Sequence, residues 1–301
     1  MTYVVGVDAG GSHTRAVVVG PGNGIVATGQ AGGANPVAHG VDTAIARLES
    51  ALRDATATLR PELVTHCVIG LAGGATGGAP VRRAVSELAG RLGFDGGCTL
   101  VSDVEVAFAA GTESADGVLL LAGTGAVAAE LKDHREIRHV DGDGWLLGDD
   151  GSGFWLGRQA VRAALAQLDG RGAPTALLGT VAEALDAEPS THALRTAAYR
   201  RPPVTLAGLA PLVDNAAREG DTVATAIVDN AAELLVASVA ALDPVAGGHR
   251  EAVLAGGALL ADGPLTNLVT ARLRGRFGLR TRLAGDGALG AAALAGLFSR
   301  R

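Results

Sequence analysis

Lysine is almost missing from this 301-residue chain: among 25 basic residues only Lys132 is a lysine, and Asp133 follows it. A phosphate loop of the G-x-x-x-x-G-K-[ST] type is therefore absent, and Lys132, read as a strand-edge residue, argues against lysine-based chemistry. Cysteine is scarce too. Cys67 and Cys98 each lie in an apolar stretch read as a strand, with no C-x-x-C or His-paired spacing, so buried free thiols are expected rather than a disulfide or a metal site. Basic charge is in deficit, and the net charge of -6 leaves no clustered cationic face of the kind that neutralises nucleic-acid phosphates or anionic lipid. The longest apolar stretches, around Ala252 to Ala261 and Gly287 to Phe298, are interrupted by glycine and shorter than the ~18 residues of a membrane span, so none is expected. Met1 leads directly into Tyr3-Val4-Val5-Gly6-Val7 without a charged or cleavable leader, and a cytoplasmic location is the corresponding expectation.

What is present is a chain 48% hydrophobic, 19% charged and rich in glycine, with 45 of them. That is the composition of a folded globular protein, and the length suits two domains of roughly 150 residues each. Strand-like Tyr3 to Ala9, the turn Gly10-Gly11-Ser12, and strands Arg15 to Val19 and Ile25 to Gly29 form a β-meander. A helix over Asp42 to Ala57, a buried-type strand Cys67 to Leu71, a helix Pro80 to Leu92 and a strand Thr99 to Ser102 then read as βα alternation on a mostly parallel sheet. The opening device recurs: strand Gly117 to Ala122, turn Gly123-Thr124-Gly125, strands Ala126 to Leu131 and Ile137 to Val140. From about 153 to 244 the pattern is helical, with helices Phe154 to Leu168, Leu206 to Arg218 and Val223 to Leu242. Strand Glu251 to Leu254, helix Pro264 to Phe277, strand Leu279 to Leu283 and helix Ala288 to Phe298 close the chain. The expected fold is thus a duplicated α/β architecture, with an N-terminal lobe over 1–115, a C-terminal lobe over 116–301 carrying a helical insertion, and a cleft between them.

In Asp8-Ala9-Gly10-Gly11-Ser12-His13-Thr14 a carboxylate ends a strand, two glycines tolerate φ > 0 and close approach of a ligand, and two hydroxyls follow. Such a turn can present backbone N–H groups to an anion while Asp8 holds a hydrated Mg²⁺. Gly123-Thr124-Gly125 repeats that logic, and one such hairpin per half suits a nucleotide polyphosphate, although each alone is also an ordinary turn. Gly256-Gly257-Ala258, between a strand and a helix, would let an adenine ring or ribose lie on bare backbone; it would equally serve a tight βα turn. Asp103 stands at a strand–helix junction, where a carboxylate can act as general base on an alcohol or simply cap the helix.

The three glycine-rich segments resemble the phosphate-1, phosphate-2 and adenosine motifs of the sugar kinase/Hsp70/actin superfamily. More narrowly, Asp141-Gly142-Asp143-Gly144-Trp145-Leu146-Leu147-Gly148-Asp149-Asp150-Gly151-Ser152-Gly153-Phe154-Trp155-Leu156-Gly157 resembles the G-D-E-G-S-G-x-W-[IL]-[GA] signature of the N-acetylglucosamine kinase and BadF/BadG/BcrA/BcrD ATPase family, with Asp150 where glutamate is usual. The resemblance spans essentially the whole chain. It implies an actin-like, ribonuclease H-like fold using ATP and Mg²⁺, with Asp103 as the catalytic base and Asp8 on the metal side. Gly10, Gly11, Ser12, His13, Thr14, Gly123, Thr124, Gly125, Gly256, Gly257 and Ala258 would meet the nucleotide. Asn35, Gly73, Thr124, Gly144, Asp149 and Asp150 would meet a sugar, with Gly74 and the Thr76-Gly77-Gly78 stretch alongside.

The expected activity is phosphorylation of the 6-hydroxyl of N-acetylglucosamine by a homodimeric kinase whose cleft closes to keep water from competing as acceptor. A glucosamine kinase and a BadF-type activase, in which ATP hydrolysis drives an inter-subunit iron–sulfur centre, are the alternatives. Activase cysteines follow the second hairpin, whereas Cys67 and Cys98 precede it. A sugar-sensing repressor of related fold would need a helix-turn-helix before the first strand, and none is read there.

Overall fold

The computed structural model describes residues 2–11, 13–22, 24–73 and 78–299. The chain divides into two compact units: Met1–Ala115 with Leu131–Glu136 and Ala284–Arg301, and Asp116–Glu130 with Ile137–Leu283. The first contains β1 (Tyr3–Ala9), β2 (His13–Val19), β3 (Ile25–Gly32), α1 (Pro36–His39), α2 (Val41–Thr56), β4 (Val64–Leu71), α3 (Gly78–Leu92), β5 (Cys98–Val101) and α4 (Asp103–Gly111). Its sheet runs β3-β2-β1-β4-β5, antiparallel across the β1–β2–β3 meander and parallel from β1 through β4 to β5.

Period-2 alternation along these strands explains why both faces are covered. Val5, Val7, Ala16 and Val18 pack with Ala44, Leu48 and Leu52 of α2. The intervening positions Val17 and Val19 face the opposite way, toward Ala288 and Ala292 of the last helix in the chain, Gly287–Phe298. Gly6 of β1 lies so close to that helix that a Cβ would run into its backbone at Ala288 and Ala292.

The chain continues with β6 (Gly117–Ala122), β7 (Ala126–Lys132), β8 (Arg135–Asp141), α5 (Gly153–Leu168), α6 (Leu177–Ala184), α7 (Thr191–Tyr199), α8 (Ala210–Arg218), α9 (Thr222–Ala241), β9 (Glu251–Ala255), α10 (Gly257–Leu260), α11 (Pro264–Phe277), β10 (Arg280–Leu283) and α12 (Gly287–Phe298). The second sheet has the order β8-β7-β6-β9-β10, the first sheet's order with five added to each strand number, so the duplication is real at the level of topology.

Three expectations change. The last helix and the tip of the β7–β8 hairpin pack with the first unit, not with the C-terminal lobe in which local pattern had placed them. The single helix expected over 206–218 is a 3-10 turn, Pro203–Leu209, followed by α8; Pro211 in the first turn of α8 has no N–H to continue a ladder from the preceding turn. The helical region also holds α6 and α7, which the pattern had not resolved. Among the described residues, α9 is long and apolar enough to cross a membrane by length and composition. Here its Val228, Ala232, Leu235 and Val239 belong to the second unit's core.

Candidate functional site

In the first unit the site grows from the C-terminal edge of the sheet. β1 ends on Asp8 and Ala9, and β5 runs into Ser102 and Asp103. Ser102, not Asp103, caps α4: its hydroxyl accepts from the Glu105 N–H at 3.2 Å, while Glu105 accepts from the Ser102 N–H at 3.0 Å. This reciprocal box relieves Asp103 of a capping duty, leaving it at the first helical position with its half-buried carboxylate facing its own N–H and that of Val104. Burial raises its pKa and the Glu136 carboxylate adds to this, against the two N–H groups.

Asp8 is raised too, to about 6, first by burial and then by the charges of Asp103 and Asp286. Asp286 caps α12 through the Ala288 N–H at 3.0 Å and pairs with Arg15 at 3.0 Å. Gly287, next to it, abuts the Asp8 carboxylate so closely that no Cβ would fit. Three acids therefore share one neighbourhood, with Arg15, the register partner of Asp8, at its side. Among the described residues no set of three acidic, His or Cys side chains is arranged to ligate a metal by itself.

The first hairpin keeps some of its expected roles open and loses others. Gly10 and Gly11 do not adopt positive φ, so the conformational argument for them fails; a Cβ on Gly11 would meet open space, and one on Gly10 would come within 4 Å only of the His13 carbonyl, at 3.7 Å. His13 is exposed, and its carbonyl accepts from the Gly10 N–H at 2.9 Å. Thr14 is a correction. It is 1% exposed and donates its hydroxyl to the Gly32 carbonyl at 2.8 Å, so it ties β2 to β3 and is not available to a nucleotide. Ser12, Gly74, Thr76 and Gly77 lie outside the described residues. Asn35 caps α1, its Oδ1 accepting from Val37 and Ala38 at 2.8 and 3.2 Å, which leaves its Nδ2 as the donor for a ligand. Gly73, at φ 70°, sits against the Asn35 side chain.

In the second unit the turn Gly123-Thr124-Gly125 meets the start of α5: the Gly153 N–H donates to the Gly123 carbonyl at 2.8 Å, and the Phe154 N–H to the Thr124 carbonyl at 3.1 Å. Asp149 joins this turn to the long glycine-aspartate motif. Its Oδ1 accepts from the Ala126 N–H at 3.1 Å, and a Cβ on Gly125 would lie 2.7 Å from its carboxylate. Gly125 is thus required for space, since its φ is not positive. Burial raises the Asp149 pKa against N–H groups from Ala126 and Gly144, and Asp141 and Asp143 add to the rise. Gly144 adopts φ 87° as the loop turns, while Asp150 is exposed.

Gly123, Thr124, Gly257 and Ala258, distant in sequence, line a single cavity of about 570 Å³ with Asp214, Asn215 and other residues of α5, α8 and α11. That size is ordinary for a small-molecule site. Gly256 makes the approach possible: at φ 83° it presses against the Ala122–Gly123 backbone, where no side chain would fit. This chain belongs to the BadF/BadG/BcrA/BcrD ATPase family. The family model matches residues 5–295. An N-acetylmuramic acid/N-acetylglucosamine kinase of Clostridium acetobutylicum is 28% identical over 246 residues, covering 80% of this chain and 79% of that protein. A candidate N-acetylglucosamine kinase of Chromobacterium violaceum superposes with a TM-score of 0.77 at 28% identity, over 98% of this chain and 99% of that one. A glucokinase of the ROK family from Streptomyces griseus, solved with glucose and AMPPNP, shares the fold at a TM-score of 0.60 and 20% identity, over 98% and 99% of the two chains.

Within this family member, sequence reasoning passed over the roles of several supporting residues. Asp286 was signalled by Gly285-Asp286-Gly287, an acid between glycines at a helix start. Asp141 organises its loop by accepting from the N–H groups of Gly142, Asp149 and Asp150 at 2.7, 2.6 and 3.0 Å. His39 holds the Gly11 carbonyl at 2.9 Å. Asp214 accepts from the Leu265 N–H at 3.2 Å and so caps α11 from the cavity wall. The last two carry no local sequence signal, because their partners lie far along the chain.

Proposed function

We propose that this protein is an ATP-dependent kinase that phosphorylates the 6-hydroxyl of an N-acetylated amino sugar, N-acetylglucosamine first. The observation that carries the reading is Asp103: a half-buried carboxylate at the end of a strand, freed from helix capping by Ser102, in a chain of an ATPase family whose named relatives include amino-sugar kinases. Phosphoryl transfer asks little covalent chemistry of a protein beyond positioning, charge stabilisation and a base for the acceptor hydroxyl. Asp103 would take the proton from that hydroxyl. Gly123, Thr124, Gly257 and Ala258 would line the nucleotide's seat, and the turn that Gly10 pins through the His13 carbonyl would present Gly11 and His13 to its phosphates.

Clustered carboxylates that raise one another's pKa suit a divalent cation. With no three-ligand set among the described residues, Mg²⁺ would be held by Asp8, and through it by the nucleotide and water, where it would spread the charge of the transferring phosphoryl group. For the 2-substituent, Asn35 Nδ2 would pair with an acetamido oxygen. A glucosamine site would set a carboxylate beside the 2-ammonium; Asp141 is instead committed to three backbone N–H groups, which favours the neutral sugar. N-acetylmuramic acid offers the same acetamido group and free 6-hydroxyl.

Steady-state phosphotransfer from ATP to N-acetylglucosamine, N-acetylmuramic acid, glucosamine and glucose, with the product's phosphate position read by NMR, tests the reading. The expected result is a kcat/KM for N-acetylglucosamine at least ~10-fold above glucosamine, the ratio that about 1.4 kcal/mol supplies. ATP hydrolysis indifferent to every sugar would overturn the kinase. A glucosamine preference that grows as pH falls would overturn the neutral acceptor. The homodimer that the family resemblance implies is part of the proposal, and light scattering checks it.

A further inference from the structure

The two cysteines, far apart in sequence, are neighbours in the sheet. Cys67 on β4 and Cys98 on β5 are register partners on adjacent parallel strands. Their side chains therefore leave the same face of the sheet, the one packed in the cluster with α2 and α3. The chain has no other cysteine. A strand spacing of about 4.8 Å falls inside the Cα separation of about 4.4–6.8 Å that disulfides span, so the backbone need not be rebuilt to join them.

Their surroundings differ in a useful way. Cys67 is buried and Cys98 half-buried on β5, the edge strand of its sheet. A reagent arriving from solvent therefore meets the Cys98 sulfur first, because Cys67 is 0% exposed.

We propose that Cys67 and Cys98 form a reversible dithiol–disulfide pair, an oxidation site at the outer edge of the first unit's sheet. With hydrogen peroxide as oxidant, the Cys98 thiolate attacks one peroxide oxygen, the O–O bond breaks, and hydroxide leaves; the product is a sulfenic acid. The Cys67 sulfur then attacks the Cys98 sulfur. The S–S bond forms, the S–O bond breaks, and the departing hydroxide takes the Cys67 proton as water. Two thiols and one peroxide thus give one disulfide and two waters, and a small thiol restores the pair by exchange. The bond would close a ring containing α3 and fasten the start of β5, whose other end leads to Ser102 and Asp103. This proposal does not rest on the kinase reading.

Graded peroxide treatment of the folded full-length protein tests it, with thiols counted after denaturation and peptides mapped by mass. Both thiols should disappear together, with the loss of two hydrogens, as an intramolecular Cys67–Cys98 peptide that dithiothreitol splits. In Cys67→Ala, Cys98 should stop at a sulfenic acid that dimedone captures. The proposal fails if wild-type Cys98 proceeds to sulfinic acid while Cys67 stays free, if the disulfide links two chains, or if wild-type thiols survive peroxide doses that oxidise Cys98 in the variant.

Discussion

Asp8 stands where function and stability oppose each other. Its carboxyl is raised to about 6 by burial and by two neighbouring acids, so the folded chain holds a proton there that the unfolded chain releases near pH 4. Folded protein binds more protons than unfolded protein across that window, and stability from this group falls as pH rises through it. At pH 7 the ionised carboxylate costs up to about 3 kcal/mol. Asp8→Asn should therefore be more stable than the parent at pH 7, by an amount that shrinks toward zero at pH 4, while its use of Mg²⁺-ATP is lost. Urea unfolding at both pH values checks this, and a variant less stable at pH 7 contradicts it. Asp103→Asn separates the roles: with Ser102 as the cap, the fold should stand, and turnover should fall by roughly 10²-fold or more, the scale of a lost general base. Because both acids are raised and Asp103 must be ionised to act, kcat/KM should decline on the acid side.

The hairpin turns were legible from their glycines, but the reason those glycines are needed was not. Gly125 reads in the sequence as a conformational requirement; in the fold it is a spatial one, imposed by Asp149 from a segment more than twenty residues away. Gly125→Ala should thus weaken nucleotide binding by pushing the Asp149 carboxylate off the Ala126 N–H, and Asp149→Ala in the same chain should recover part of the loss. Calorimetry with a non-hydrolysable ATP analogue on the single and double variants measures this coupling, and strict additivity would count against it. The same distinction explains Thr14, Asn35 and Asp103. Residue type and spacing bring each to the right neighbourhood, yet which groups are consumed by Gly32, by α1 or by no cap at all depends on partners that no local window contains. Apolar strands were found with bounds within about three residues, Tyr3–Ala9 and Gly117–Ala122 as expected. Helices α6 and α7, short segments inside a uniformly helical stretch, had no punctuation to separate them.

The duplication was readable because each half restarts with the same hairpin, but ownership of the last helix was not, since packing between residues nearly 300 apart leaves no local trace. Topology makes that helix decisive. Ala288, Ala291, Ala292, Leu294 and Ala295 of α12 cover Val17, Val68 and Val101 on the face of the first sheet opposite α2, together with Val106 of α4. The core of the second unit, by contrast, includes no residue beyond Leu279. Removing residues 284–301 would strip one whole face from the first sheet, expose alternate residues of β1, β2 and β4 to water, and delete the cap Asp286 beside Asp8. At roughly 25 cal/mol per Å² of apolar surface, that loss is of the same order as the 5–15 kcal/mol by which a domain is usually stable. The truncated chain should consequently unfold in its first unit while the second persists. Limited proteolysis followed by mass mapping reads the difference: cuts should concentrate between residues 2 and 115, with a resistant fragment spanning 116–283. Equal resistance across both segments would mean that the first sheet does not depend on α12, and the packing argument would fall with it.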